Sequence, residues 1–174
     1  MRKLLGGGAL PPKAGFFHLF KGFLGGTLGI LLLGYLSQLS GEPWLMAPLG
    51  ATCVLLFAVS ASPLAQPRNV IGGHLLTAAI GIAALHLFGD ALPVLAIAVG
   101  LSIFVMQYTR TVHPPAGANP VVIMLAGHDV GWHFMLTPVL AGSVALVVIA
   151  SVLNNLGKAN RWPHYWHGLG QTKE

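Results

Sequence analysis

Charge is what this sequence has least of. Asp, Glu, Lys and Arg make up 7% of the 174 residues while 55% are hydrophobic, against about 25% charged residues in an average soluble domain. Between Gly22 and Gly157 the only charged residues are Glu42, Arg68, Asp90, Arg110 and Asp129. A soluble surface cannot be made from so few, so the composition excludes a water-soluble globular protein and predicts an integral membrane one. The net charge of +5 comes mainly from the ends: Arg2, Lys3, Lys13 and Lys21 before the first apolar run, Lys158, Arg161 and Lys173 after the last. No basic stripe lies on a soluble face, which excludes nucleic acid as a partner. The one cysteine, Cys53, excludes an internal disulfide and reads as a buried, inert thiol. There is no H-E-x-x-H, no G-x-S-x-G and no pair of intramembrane acids, so neither an enzyme nor catalytic residues are expected. No cofactor and no metal site are expected either. His164 and His167 form only an H-x-x-H, without further ligands.

Four long apolar runs are present: Phe20 to Leu39, Ile71 to Phe88, Ala91 to Tyr108 and Trp132 to Leu153. Each is long enough to span about 30 Å of hydrocarbon at about 1.5 Å per helical residue. The first is too long for a signal peptide and no A-x-A-like cleavage site follows it, so it reads as a retained helix. Two shorter runs, Gly50 to Ala61 and Gly117 to Gly127, are half-length helices. Each follows a Pro-bearing segment, Glu42 to Pro48 and Arg110 to Pro115, that covers the remaining depth in extended form.

The two breaks are copies of one another. Pro48-Leu-Gly-Ala-Thr-Cys-Val-Leu-Leu-Phe aligns without gaps on Pro115-Ala-Gly-Ala-Asn-Pro-Val-Val-Ile-Met, and His74 and Thr77 downstream echo His133 and Thr137 with a one-residue slip. The expected fold is all-α: two inverted repeats of three segments (long helix, broken half-helix, long helix), with six crossings. Four long helices plus two re-entrant half-helices is the alternative. Six crossings put the termini, Arg68 and Arg110 on one side and Glu42, Asp90 and Asp129 on the other, which satisfies the positive-inside rule with cytoplasmic termini. The chain divides into an N-terminal segment (1–19), a transmembrane domain (20–157, repeats about 20–88 and 91–153) and a basic, aromatic tail (158–174).

Irregular backbone at membrane depth is tolerated only where it is buried in protein or lines a wet cavity, and matched breaks in two halves point to a transport site. Each half-helix would expose first-turn N–H groups and the positive end of its dipole near the midplane. Gly50 and Gly117 would allow close approach to the backbone; Pro48 and Pro115 fit a helix start; Thr52 and Asn119 add side-chain donors beside Ala51 and Ala118. Two converging starts form a cage for a small inorganic anion; a membrane-embedded enzyme or a scaffold subunit without transport activity is the alternative. The competing reading is tight helix packing through small residues. His113 either binds the anion when protonated, relays a proton, or caps a loop. Arg110 and Thr111 either draw the anion to the mouth or anchor the helix end. His74 and Thr77 read as interhelical hydrogen-bonding residues or, less directly, as path-lining ones.

The string T-R-T-V-H-P-P-A-G-A-N-P around His113-Pro114-Pro115, with P-L-G-A-T at Pro48 to Thr52, resembles the HPP family of integral membrane proteins, from about Lys21 to Leu156. That resemblance implies a compact membrane domain and, because some plastid and cyanobacterial members are associated with nitrite transport, nitrite as the leading substrate. The substrate-binding set is then Pro48, Gly50, Ala51, Thr52, His113, Pro115, Gly117, Ala118 and Asn119. The expected setting is a bacterial inner membrane, with a homo-oligomer plausible for so small a bundle.

Overall fold

The computed structural model describes residues 9–156 and 161–166; Arg2, Lys3, Lys158, His167 and Lys173 lie outside them. The described residues are helical, without strands: α1 Phe16–Ser40, α2 Ala47–Ala58, α3 Pro67–Phe88, α4 Leu92–Tyr108, α5 Asn119–Ala126 and α6 Ala141–Asn154. By length and composition α1, α3 and the continuous stretch Met135–Asn154 are apolar enough to cross a membrane. The outer faces of α1, α4 and α6 carry Phe23, Leu31, Ile97, Phe104, Val148 and Val152, all exposed, which suits lipid rather than water as the surrounding solvent.

Helix boundaries follow local chemistry. α1 starts at Phe16, four residues before the apolar run, since Lys21 is no obstacle to a helix near its end. It stops at Gly41, which adopts φ 75° as a left-handed cap and donates its N–H to Ser37 C=O. α2 starts at Ala47, so Pro48 occupies its second position, where a missing N–H costs nothing. The last apolar run is not one regular helix. Pro138 removes a backbone donor, Met135–Leu140 is wound in wider turns, and Thr137 leaves helical geometry altogether (φ −135°, ψ 111°).

Side-chain contacts give each segment its direction. Along α1, Leu45 lies over Gly34, Cys53 over Gly29 and Phe57 over Gly25. Ser37 Oγ donates to Glu42 C=O (2.6 Å) at one end, and His18 Nε2 bonds Ala58 C=O (3.0 Å) at the other. The first broken segment therefore runs the full length of α1, antiparallel to it. Beside α3 the order is Gly72 with Thr111, Gly73 with His113, Gly81 with Pro120, and His86 Nε2 with Val130 C=O (2.8 Å). The second broken segment thus runs the length of α3, in the same direction. α6 returns: Gly142 sits on Leu49 and Leu33, and Asn154 Nδ2 donates to Leu56 C=O (3.0 Å).

Neither short segment doubles back. The chain traverses the bundle six times in alternating direction, so the α2–α3 and α4–α5 connections share one face with the start of α1 and the end of α6. Arg68 makes that juxtaposition directly, donating from Nη2 to Thr109 C=O (3.0 Å). The core between the layers is aliphatic and aromatic: Leu33, Leu49, Leu56, Phe57, Ile82, Ile123 and Leu146 are each 0–1% exposed.

Candidate functional site

The two breaks meet. The start of α2 and the 3₁₀ turn Pro114–Ala118, which leads straight into α5, face each other across an open groove of about 550 Å³ whose walls include Ala47, Pro48, Ala51, Pro114, Pro115 and Ala118. Backbone donors are scarcer there than two bare helix starts would offer. Leu49 and Gly50 N–H both bond Met46 C=O (3.0 and 3.2 Å). Pro114 and Pro115 have no N–H, and Ala116 N–H bonds His113 C=O (3.0 Å). His113 itself is extended (φ −138°, ψ 98°), as a residue before proline must be. Tight 3₁₀ winding closes the second start on itself, so the groove receives the positive ends of two helix dipoles and few free N–H groups.

Side chains supply the polarity. Behind the groove Thr52, His74, Thr77, His113 and Asn119 are 0–1% exposed and form one connected network. Thr52 Oγ1 lies 2.8 Å from His74 Nε2, 2.9 Å from His113 Nε2 and 2.9 Å from Pro48 C=O. The two rings are edge to face, 5.0 Å between centroids. Two carbonyls settle the tautomers. Leu64 C=O, 2.8 Å from His113 Nδ1, can only accept, so that nitrogen carries a proton. His74 C=O, 3.0 Å from Asn119 Nδ2, fixes the amide's nitrogen on that side. The same amino group reaches His74 Nδ1 (3.1 Å) and Thr77 Oγ1 (2.9 Å). An amide nitrogen cannot accept, so His74 Nδ1 facing it carries no proton, and its Nε2 does. Asn119 Oδ1 is buried with no hydrogen-bond partner among the described residues.

Of the residues singled out in the sequence, Pro48, Thr52, His113, Pro115 and Asn119 are buried together. Gly50, Gly117 and Ala118 are half-buried, and Ala51 is exposed in the groove. Arg110 is exposed, in left-handed conformation (φ 58°), where α4 ends. Thr111 is buried against Gly72, its hydroxyl bonded to Thr109 Oγ1 (2.8 Å). His74 and Thr77, assigned from sequence to interhelical bonding first, belong to the network itself; a polar pair on an otherwise apolar helix was the available signal. His133 and Thr137 do not share their position. His133 is exposed and Thr137 lies in the irregular turn.

The chain was compared with known proteins. A family model described as HPP, transmembrane region, matches residues 11–163. A transmembrane protein of Dictyostelium discoideum is 34% identical over 148 residues, covering 81% of this chain and 52% of that protein. A second transmembrane protein from the same organism is 30% identical over 175 residues, covering 95% and 56%. The chain spans about half the length of the curated relatives it matches. No solved structure matches it. With helices apolar enough to cross a bilayer and a family match running through nearly every described element, this chain is an integral membrane protein that belongs to the HPP transmembrane family.

Proposed function

We propose that the chain carries a small inorganic anion across the membrane, nitrite being the leading candidate, and that it is a transporter rather than an enzyme. The observation that carries this reading is the meeting of both breaks at one groove with a buried neutral polar network directly behind it. Polar side chains inside a membrane bundle are costly, and they mark ion and proton paths when they occur. The six alternating passages are six membrane crossings, and the two halves are inverted repeats around that groove. Lys13, Lys21, Arg68 and Arg110 lie at one face, and Glu42, Asp90 and Asp129 at the other, which supports cytoplasmic termini; a bacterial inner membrane is the proposed setting.

The anion sits on the groove side of Thr52, among Pro48, Gly50, Ala51, Pro115, Gly117 and Ala118. It does not sit beside Asn119 Oδ1, because an unpartnered acceptor oxygen repels it. Asn119 instead acts as a positioning residue for His74. Arg110 and Thr111 stand at the cytoplasmic mouth. Ala51 and Pro114 leave the groove open sideways; an anion facing lipid there would be poorly solvated, so a second copy of the chain closes it.

Uptake of labelled nitrite into proteoliposomes tests the reading. Wild type is expected to exceed empty vesicles, and Asn119→Leu to abolish that excess. No excess with wild type, or unchanged uptake with Asn119→Leu, overturns it.

A further inference from the structure

We infer that Thr52, His74 and His113 form a binding site for one proton, loaded together with the anion. Counting hydrogens leads there. Thr52 Oγ1 has three polar neighbours within 2.9 Å: His74 Nε2, His113 Nε2 and Pro48 C=O. With both rings neutral, Leu64 C=O holds the His113 proton on Nδ1 and the Asn119 amino group leaves the His74 proton on Nε2. Two protons then serve three contacts, and the Thr52 hydroxyl must choose between His113 Nε2 and Pro48 C=O.

One added proton completes the set. It forms an N–H bond at His113 Nε2, and the ring becomes an imidazolium that keeps its Nδ1–H on Leu64 C=O. The hydroxyl hydrogen turns to Pro48 C=O, and Thr52 Oγ1 accepts from both rings. No other bond forms or breaks. The proton comes from water and returns to it when the hydroxyl turns back. A second added proton finds no acceptor, because His74 Nδ1 already faces the amino group of Asn119.

Among the described residues, the surrounding elements leave the new charge without a protein counter-ion. On α2 the other titratable group is Cys53, turned toward Gly29. α3 carries Arg68 at its start, bonded to Thr109 C=O, and His86 at its far end, bonded to Val130 C=O. The segment around His113 carries Arg110, and α4 ends in Tyr108. Met135 to Asn154 contains no titratable side chain. A buried charge is costly unless paired. The anion in the adjoining groove, against Pro48 and Pro115, provides the pairing, so proton and anion stabilise one another and move as a neutral pair. This rests on the proposed anion passage, and the two are tested separately.

Nitrogen-15 NMR of the histidine-labelled chain in bilayers reads the rings directly. Acid titration is expected to convert one ring of the pair to a doubly protonated form, and nitrite to shift that conversion toward higher pH. Thr52→Val should abolish it and Thr52→Ser should keep it. Two imidazoliums, or none before unfolding, overturn the proton site whether or not nitrite is transported. In proteoliposomes, nitrite uptake above the empty-vesicle rate is expected to carry one proton per anion, read by an internal pH dye, and His113→Gln to lose that proton. Uptake by wild type without proton movement overturns the coupling and leaves the anion passage standing.

Discussion

Gly73 is where packing and site meet, and Gly73→Ala tests both. A methyl group there would lie 2.9 Å from His113 Cβ, 3.0 Å from Thr111 C=O and 3.5 Å from Ala116 Cβ, where carbon contacts relax to about 3.5–4.0 Å. The carbonyl is backbone, and His113 is held at both ring nitrogens, so neither gives way freely. α3 must retreat by about half an ångström or more, stretching the 2.8 Å bond between His74 and Thr52. Overpacking costs about 1–3 kcal/mol, and one weakened buried hydrogen bond adds about 1 kcal/mol. Alanine's better helix propensity returns up to about 1 kcal/mol, so the net expectation is a loss of about 1–3 kcal/mol. Reversible unfolding in mixed micelles measures it, with Gly26→Ala and Gly100→Ala as controls, since a methyl meets nothing within 4 Å at either. Both controls should be neutral or slightly stabilising. A Gly73→Ala chain as stable as the Gly26→Ala chain would refute the close approach of α3 to the second break.

Topology is checked by single-cysteine labelling in a Cys53→Ala background. Ala61→Cys and Arg110→Cys should react with an impermeant reagent from one side, and Asp90→Cys and His128→Cys from the other; all four positions are exposed. Reaction of the Ala61 and Asp90 positions from the same side would contradict six crossings. Asn155 holds the C-terminal segment, its side chain bonding both Trp162 N–H (2.9 Å) and Trp162 C=O (2.6 Å) and keeping Trp162 4% exposed. Asn155→Ala is expected to cost about 1–3 kcal/mol of local stability and to speed tryptic cleavage after Arg161. An unchanged cleavage rate would mean that something else holds the segment.

Sequence periodicity was a good guide to the long helices and a poor one to their irregularities. Apolar runs locate α1, α3 and α4 because lipid demands a satisfied backbone and an apolar surface over a fixed length. The same rule does not say that Pro48 sits inside α2 rather than before it, or that Pro114 and Pro115 force a 3₁₀ turn instead of an open helix start. The internal repeat was informative at the breaks and misleading downstream. His133 and Thr137 echo His74 and Thr77 in letters, yet Thr137 lies in the irregular turn beside Pro138 and His133 is exposed. Within the site, Thr52, His113 and Asn119 were legible because they flank the breaks. Their assembly around Thr52 was not, since its partners lie 22 and 61 residues away and no local pattern encodes that pairing.

The distribution of charge follows from the same physics. Arg68 and Arg110 stay at one end of the bundle, while the buried network behind the groove is built from hydroxyl, imidazole and amide groups. A permanent cation beside the groove would need a permanent partner, and would release a bound anion slowly because both charges are desolvated. Neutral groups avoid that cost in the empty protein. Imidazole is the one side chain among them that becomes a cation by taking up a proton. In the proposed cycle, two imidazoles on one hydroxyl would let the site create a positive charge when an anion arrives and remove it when the anion leaves. A helix dipole alone cannot be switched in this way, and in this chain the first-turn N–H groups of Leu49, Gly50 and Ala116 are already engaged. The proposed transport would therefore depend on the histidine pair more than on either helix start.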